Sequence, residues 1–563
     1  MQPMRRNLVA DGALTKSTMT RVKFRGADAL VAALARVGVR HVFTLSGNHI
    51  MPVFDAALGA GIELVHARHE AAAVHMADAY ARLTGGPGVA LVTGGPGHAN
   101  AVSALYTAQM AESPVILLSG HAATDELGMG AFQEMRQAEL SAPVCKRSWT
   151  SADAGAIASD LARAVQIARS GRPGPVQVNL PSDALEGAAS QDDSVDDAFE
   201  PRPTSLAAST ASAILARLRR SKRPLILMGP ALLSREGRPR SEALEAAAGI
   251  AAIGMESPRG INDPSLGAFA EVLAQADCVL LLGKRLDFTL RFGRSPALHA
   301  DCAFLQVDAE SNEIDRSRRA VGARLELAAV ADPFSALDAL TRVALQDPAK
   351  IDLGWFDEVR LALGYRPPAW EAASSAQPGR LHPLQALQPL QPILDSHPDS
   401  VFVSDGGEFG QWAQACLTAP NRVVNGVAGA IGPAIPFAIG AAVAKPGVPI
   451  VVALGDGTFG FHAAEIDTAA RYRLPFLMVV GNDARWNAEY QIQLREYGVQ
   501  RALGCDLLPT RYDLVAAGLG GHGELVCAPG EVSRAAQQGL RSGLPACLNV
   551  MIEGVAAPTI RRA

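Results

Sequence analysis

Two acidic residues carry the clearest chemistry in this chain. Asp456 stands in GDG (455–457) and Asp483 in GND (481–483), twenty-seven positions apart. VVAL (451–454) is an apolar run stopped by glycine, and PFLMVVG (475–481) is a second. Each run reads as a buried parallel strand, so each acid is expected at a strand's carboxyl end. The residues from Phe461 to Arg473 read as the connecting helix, which Pro475 excludes from continuing, and Gly455-Asp456-Gly457 reads as a tight turn before it. One strand–helix–strand unit then sets both carboxylates at the sheet edge where open α/β folds bind ligands. Two oxygen ligands fixed this way suit a hard cation such as Mg²⁺, which takes its other ligands from phosphate and water. Gly455 and Gly457 let backbone amides approach a diphosphate at a helix start. GDG alone is only a turn; the whole arrangement from Gly455 to Asp483 is what is specific.

A third acid and two histidines stand far from this unit in sequence. Glu70 follows the strand-like IELVHARH and opens the helical AAAVHMADAYARLTG. By itself it is a helix-start glutamate favoured by the helix dipole. His49, in SGNHI, and His98, in GGPGHAN, occupy loops after strands, where a histidine can relay a proton or simply pack. Arg485 and Trp486 follow the second acid and could cap an acyl or carboxylate group or merely cover the surface.

The elements that must position these groups alternate regularly. ADALVAALARVG is an amphipathic helix and VRHVFTL a strand; GVALVTGGPGHANAVSAL is strand, glycine turn and helix; SPVILLSG is another strand. GRPGPVQVNLPSD (171–183) closes the first region. A polar, acidic, Pro-containing stretch at 187–204 reads as a linker. RPLILMGP, AAIGMES, ADCVLLLGKRLD and AFLQVDAE then alternate with helices, without a GxGxxG fingerprint. Residues 345–380 read as an irregular, Pro-rich second linker, and from Leu381 the alternation resumes through VFVSDGGEFG and the acidic unit to ACLNVMIEG. The fold class is α/β, three doubly wound parallel-sheet domains at 22–187, 203–345 and 380–555, after a disordered tail at 1–21.

Composition narrows the function. The chain has 563 residues, 48% hydrophobic and 19% charged, with a net charge of −5. That describes large cores and gives no footprint for nucleic acid. Seven scattered cysteines form no CxxC pair, which argues for a reducing compartment and against a zinc site. No apolar run reaches membrane-spanning length and the first residues lack a signal-peptide core, so a cytoplasmic enzyme is expected.

The 455–483 unit resembles the thiamine diphosphate motif of the acetolactate synthase and pyruvate decarboxylase superfamily, usually GDG followed by NN, with Asp483 replacing the second Asn. RHEAAAVHMADAYAR resembles that family's catalytic-glutamate segment, and the resemblance covers about residues 22–555. It implies a cofactor pair of thiamine diphosphate and Mg²⁺, with Asp456, Asp483 and the backbone carbonyl of Arg485 as metal ligands; Asp for Asn implies tighter Mg²⁺ binding. It implies that Glu70 shifts the cofactor's pyrimidine to its imino tautomer, so that the thiazolium C2 proton can leave and the ylid attack. Ile431 matches the wedge that bends the cofactor, and Gly429 the carbonyl that holds its 4′-amino group. Gly407, Glu408 and Phe409 match the diphosphate-contacting loop, along with Gly455, Gly457 and Asn482. Glu408 is unusual there, because a carboxylate repels phosphate; a metal-bound water or a backbone amide is its alternative partner. His49 and His98 match cofactor-facing loops, and Phe132-Gln133 in GAFQEMRQ resembles a segment lining the substrate channel. Some members hold FAD in the central domain and others an adenine nucleotide. The resemblance further implies a homodimer, or a dimer of dimers, with shared active sites. The expected function is a carbon–carbon lyase or carboligase acting on 2-keto acids or 2-hydroxyacyl-CoA. Acetolactate synthase-type acyl transfer, 2-keto acid decarboxylation and a non-catalytic homologous subunit are the alternatives.

Overall fold

The computed structural model describes residues 24–190, 196–347 and 353–562. The tail expected at 1–21 lies outside them. Three parallel sheets are present. The first contains β1 (His41–Thr44), β2 (Glu63–His66), β3 (Gly88–Val92), β4 (Val115–His121), β5 (Arg147–Thr150) and β6 (Val176–Pro181) in the order β2-β1-β3-β4-β6-β5. The central sheet contains β7 (Pro224–Met228), β8 (Ala252–Gly254), β9 (Cys278–Leu282), β10 (Ala303–Asp308) and β11 (Leu325–Val330), ordered β11-β10-β9-β7-β8. The third contains β12 (Val401–Ser404), β13 (Asn421–Val424), β14 (Ile450–Gly455), β15 (Phe476–Asn482), β16 (His522–Val526) and β17 (Pro545–Met551), ordered β13-β12-β14-β15-β17-β16.

The first and third sheets thus follow one strand order. The central strands of all three are buried almost throughout, as expected of apolar runs covered by helices on both faces. In each sheet the chain reverses its direction of progress near the middle: between β1 and β3, between β7 and β9, and between β12 and β14; the outer sheets turn back once more at their far edges, from β5 to β6 and from β16 to β17. Open α/β sheets bind ligands outside the carboxyl ends of the strands at such reversals. Gly455 on β14 pairs with Gly481 on β15, so Asp456 and Asp483 leave neighbouring strands at nearly the same level.

The two six-stranded sheets share a core. Phe43, Val65, Met76 and Leu105 of the first region join Phe437, Phe459, Ile466 and Met478 of the third in one cluster of buried side chains. The seam is made by the helices Glu70–Thr84 and Ala434–Ala444, and the latter is apolar on every side because sheet and helix cover it together. Polar ties fix the packing. The Tyr472 hydroxyl accepts the His66 amide at 2.8 Å and donates to the Leu64 carbonyl at 2.8 Å, and Glu465 accepts the Arg68 amide at 3.0 Å.

Two sequence expectations are corrected here. The connector between β14 and β15 is two helices, Asp456–His462 and Glu465–Tyr472, and Asp456 opens the first of them with no turn between. The stretch read as an irregular linker carries the helix Leu353–Gly364. Its Val359 and Ala362 are buried in the central core, an apolar spacing that the proline-rich flank conceals. Among the described residues no helix is long and apolar enough to cross a membrane.

Candidate active site

The carboxyl-terminal crest holds the two acids. Asp456 is 3% exposed. Its Oδ1 accepts the Gly457 amide at 2.9 Å and its Oδ2 the Arg485 amide at 3.2 Å. Burial pushes its carboxyl up to about 6, against the pull of those amides. Burial and the neighbouring Asp456 charge push Asp483 up to about 7. The guanidiniums that act on Asp483 are bonded elsewhere. Arg485 pairs with Asp506 at 2.9 Å and lies 4.1 Å from the Tyr490 ring centroid, and Arg380 donates to the Ile552 carbonyl at 2.7 Å. Two adjacent carboxylates, Asp456 buried and Asp483 half-buried, without an ion pair of their own are costly in themselves. Hard oxygens in this number are the donor set a small divalent cation takes.

The loops around them leave room for a ligand. A Cβ at Gly407 or Gly455 would meet nothing within 4 Å. Gly457 is different: a Cβ there would lie 2.6 Å from the Trp486 ring, so its role is to seat Trp486, whose ring also meets Phe461 edge-on at 6.4 Å. Ile431 is 39% exposed and rests on Gly406, where a Cβ would lie 2.9 Å from Ile431 Cγ2. Gly429, with φ +67°, abuts Pro258 of the central domain. Glu408 lies in the first turn of the helix Gly407–Cys416 and accepts the Ala557 backbone amide, with Arg259 at 3.8 Å. Burial raises the Glu408 carboxyl while Arg259 pulls it back. A backbone amide, one of the two alternatives for this residue, is therefore its partner.

Two residues of the expected cofactor loops turn their side chains inward. Asn482 is fully buried. Its Nδ2 donates to the Thr510 carbonyl at 2.9 Å and to Asn549 at 3.0 Å, and its Oδ1 accepts the Ala484 amide at 3.2 Å. It braces the acidic loop from below, and Ala484 in that loop holds φ +59°. Phe409 packs inward across Gly481, where a Cβ would meet its ring at 2.4 Å. Only its backbone remains for a ligand.

Asp405, the residue after β12, was missed by sequence reasoning. It is fully buried, pushed up to about 6 by that burial, and accepts the amides of Gly406 at 2.7 Å, Gly432 at 3.0 Å and Ala434 at 3.2 Å. It therefore fixes the loop that presents Ile431. The signal was an acid at a strand's carboxyl end in SDGG, beside the reversal between β12 and β14.

The amino-terminal crest holds the other group. Glu70 opens the helix Glu70–Thr84 and is 8% exposed. Its Oε2 accepts a hydrogen bond from Asn100 Nδ2 at 3.0 Å. A Cβ on Gly97 would lie 3.3 Å from Oε1, so the helix Pro96–Met110 begins against the carboxyl. His49 shares a hydrogen bond with Thr93 at 3.1 Å and stacks on Phe132 at 6.1 Å, and burial lowers its pKa. Gln133 holds φ +59° beside Gly95, whose amide is bound by Gln137 Oε1 at 2.7 Å. A cavity of about 470 Å³ opens here along His121, Glu134, Gln137 and Asn179. His98 does not face it. Both its ring nitrogens are taken in the interior, by Ser119 at 2.9 Å and Ser141 at 3.1 Å, and burial pushes it down to about 4. A histidine so held has no free nitrogen with which to relay a proton to a ligand.

Known proteins resemble this chain in sequence. Residues 24–140 match the thiamine pyrophosphate enzyme N-terminal TPP binding domain, and residues 405–550 the C-terminal TPP binding domain. The chain is 31% identical to human 2-hydroxyacyl-CoA lyase 2 over 94% of its own length and 90% of the relative's. It is 31% identical to the acetolactate synthase large subunit IlvG of Mycobacterium tuberculosis over 92% of its length and 93% of the relative's. The 2-hydroxyacyl-CoA lyase 2 of Danio rerio is also 31% identical, over 94% and 91%.

Proposed function

Because the chain belongs to the thiamine pyrophosphate enzymes, we propose that it is a Mg²⁺-dependent carbon–carbon lyase or carboligase acting on 2-keto acids or 2-hydroxyacyl-CoA. The observation that carries the metal is the Asp456–Asp483 pair, one buried and one half-buried carboxylate without an ion pair of their own, beside open space at Gly455 and Gly407. Asp456, Asp483 and the Arg485 carbonyl would hold the ion, which would neutralise them and the diphosphate together. When bound, the cofactor supplies a carbanion-forming centre and an electron sink.

The chain's own residues supply the rest. Ile431 offers an exposed apolar support, held in place by Asp405 through Gly432 and Ala434. Glu70, oriented by Asn100, presents a carboxyl in a mostly buried position, where a protonated acid can donate to a ring nitrogen and later recover the proton. His49, with Thr93 fixing one ring nitrogen, can serve the substrate side together with Gln133. Glu70 and the metal pair are built on different sheets. A homodimer, or a dimer of dimers, with a two-fold axis would bring one protomer's Glu70 to its partner's cofactor.

Acetolactate synthase-type acyl transfer is the second reading, favoured by the equal identity to a protein of that name. Mass spectrometry after incubation with 2-keto acids, or with 2-hydroxyacyl-CoA thioesters, in the presence of thiamine diphosphate and Mg²⁺ separates the two. Cleavage of the thioester supports the lyase reading; condensation of two keto acids alone supports the transferase. Turnover of neither by protein that binds the cofactor would overturn both and leave the non-catalytic subunit.

A further inference from the structure

The central sheet reverses between β7 and β9, the place where the sequence resemblance raised FAD or an adenine nucleotide. Here the crevice is filled by the protein itself. The loops after the two strands touch: a Cβ on Gly229 would lie 2.2 Å from the Gly283 carbonyl oxygen and 3.3 Å from Glu112 Oε2. Glu112 belongs to the amino-terminal domain, just past the helix Pro96–Met110, and holds φ +57°. Its Oε2 accepts the Ala231 amide at 3.0 Å, in the first turn after β7. Its Oε1 is paired with Arg172. Arg172 enters from the segment leading to β6, donates to the Gly283 carbonyl at 3.0 Å and pairs with the Asp308 carboxylate at the end of β10. The other oxygen of Asp308 accepts the Glu310 amide at 3.0 Å. Lys284, the next cation on this crest, is also spent inside. It donates to Thr289 Oγ1 at 2.7 Å and to the Arg285 carbonyl at 3.0 Å, and lies 3.4 Å from Asp287. Glu112 is 4% exposed, Arg172 5% and Asp308 not at all.

We propose that the central domain carries no nucleotide: Glu112 and Arg172 of the amino-terminal domain occupy its ligand crevice and pin the two domains together. The Glu112 carboxylate holds the backbone amide that a phosphate oxygen would take. An incoming diphosphate would meet that negative charge at contact distance inside the protein, where like charges repel strongly. The acid at the end of β10 is likewise committed to Arg172. Removing one member of such a buried set leaves an uncompensated charge, so the pin holds only as a whole.

The test uses the full-length protein. Purified wild type is denatured by heat, released flavin and adenine nucleotide are quantified, and thermal melts are recorded with ADP and with FAD. The expected result is far less than one nucleotide per chain and no shift of the melting temperature with either compound. Arg172→Met should lower the melting temperature by roughly 5–10 °C, and neither ADP nor FAD should restore it. Near-stoichiometric nucleotide, or a saturable rise of the wild-type melting temperature with ADP or FAD, would overturn the proposal. That includes binding in the adjoining cavity of about 420 Å³, lined in part by Glu112, Pro230, Ala231 and Asp332. An unchanged melting temperature in Arg172→Met would overturn the pin. Should that variant fail to fold, the wild-type measurements decide whether the crevice is filled.

Discussion

The central and carboxyl-terminal sheets offer the same place at the same kind of strand reversal, and they treat buried carboxylates in opposite ways. At the central crest Asp308 and Glu112 have Arg172 between them, and Asp287 has Lys284. At the carboxyl-terminal crest Asp456 and Asp483 repel each other without an ion pair of their own, the nearby Arg485 and Arg380 being bonded elsewhere, and their proton affinities rise accordingly. A crest that balances its own charges is finished by folding. A crest that leaves two acids unbalanced stores a cost that only an added cation relieves. Charge balance at the reversal, more than the presence of an acid there, separates a structural crest from a binding one.

The largest expected effect follows directly. Asp456→Ala removes one of the two unbalanced acids, and calorimetry should then show no saturable Mg²⁺-dependent binding of thiamine diphosphate. Unchanged affinity would erase the distinction between the two crests. Next comes the amino-terminal crest, which should act on the cofactor without holding it. Glu70→Gln should slow exchange of the cofactor's C2 proton, read by quenched-flow NMR, by about 10²- to 10⁴-fold. Affinity should stay within about tenfold, roughly 1.4 kcal/mol. Wild-type exchange would make Glu70 a helix-start residue only.

A third effect concerns pH. Asp456 is raised from the ordinary carboxyl value of about 3.9 to about 6. The folded metal-free protein therefore binds a proton that the unfolded chain has released between those values. This contribution is full below about pH 4 and is lost as pH rises towards 7, worth about 3 kcal/mol at most. The melting temperature of metal-free protein should fall over that range, and Mg²⁺ with thiamine diphosphate should flatten the fall. An equal fall in Asp456→Asn would assign it to other groups. The smallest effect is Asp483→Asn, which keeps an oxygen ligand and removes the mutual repulsion. Mg²⁺ affinity should weaken by less than about tenfold, roughly 1.4 kcal/mol, and a folded but inactive variant would count against Asp483 as a ligand.

The strands and their tips were legible because apolar runs ended by glycine leave little choice of element, and the spacing of Asp456 and Asp483 follows from one crossover. Glu70 was legible as a position but not as a geometry, since Asn100 lies thirty residues on. Side-chain direction at a strand end was not readable. Asn482 sits in the acidic motif yet points to Asn549 on the neighbouring strand. The helix Leu353–Gly364 was hidden by its proline-rich flank. The central pin was beyond the sequence for a plainer reason: Arg172 meets partners 60 and 136 residues away, and an isolated Glu, Arg or Asp carries no periodic signal.

The shared core of the outer sheets has a bearing on synthesis. Its two halves are separated in the chain by the whole central domain, so the contacts that complete it span hundreds of residues and close late. At translation speeds of about 5–20 residues per second, the helix Glu70–Thr84 waits roughly 15–60 s after its own sheet has emerged before Phe437 and Phe459 arrive to cover it. During that interval the nascent chain presents an alanine-rich face to solvent, and its protection then depends on chaperones and on the pace of the ribosome.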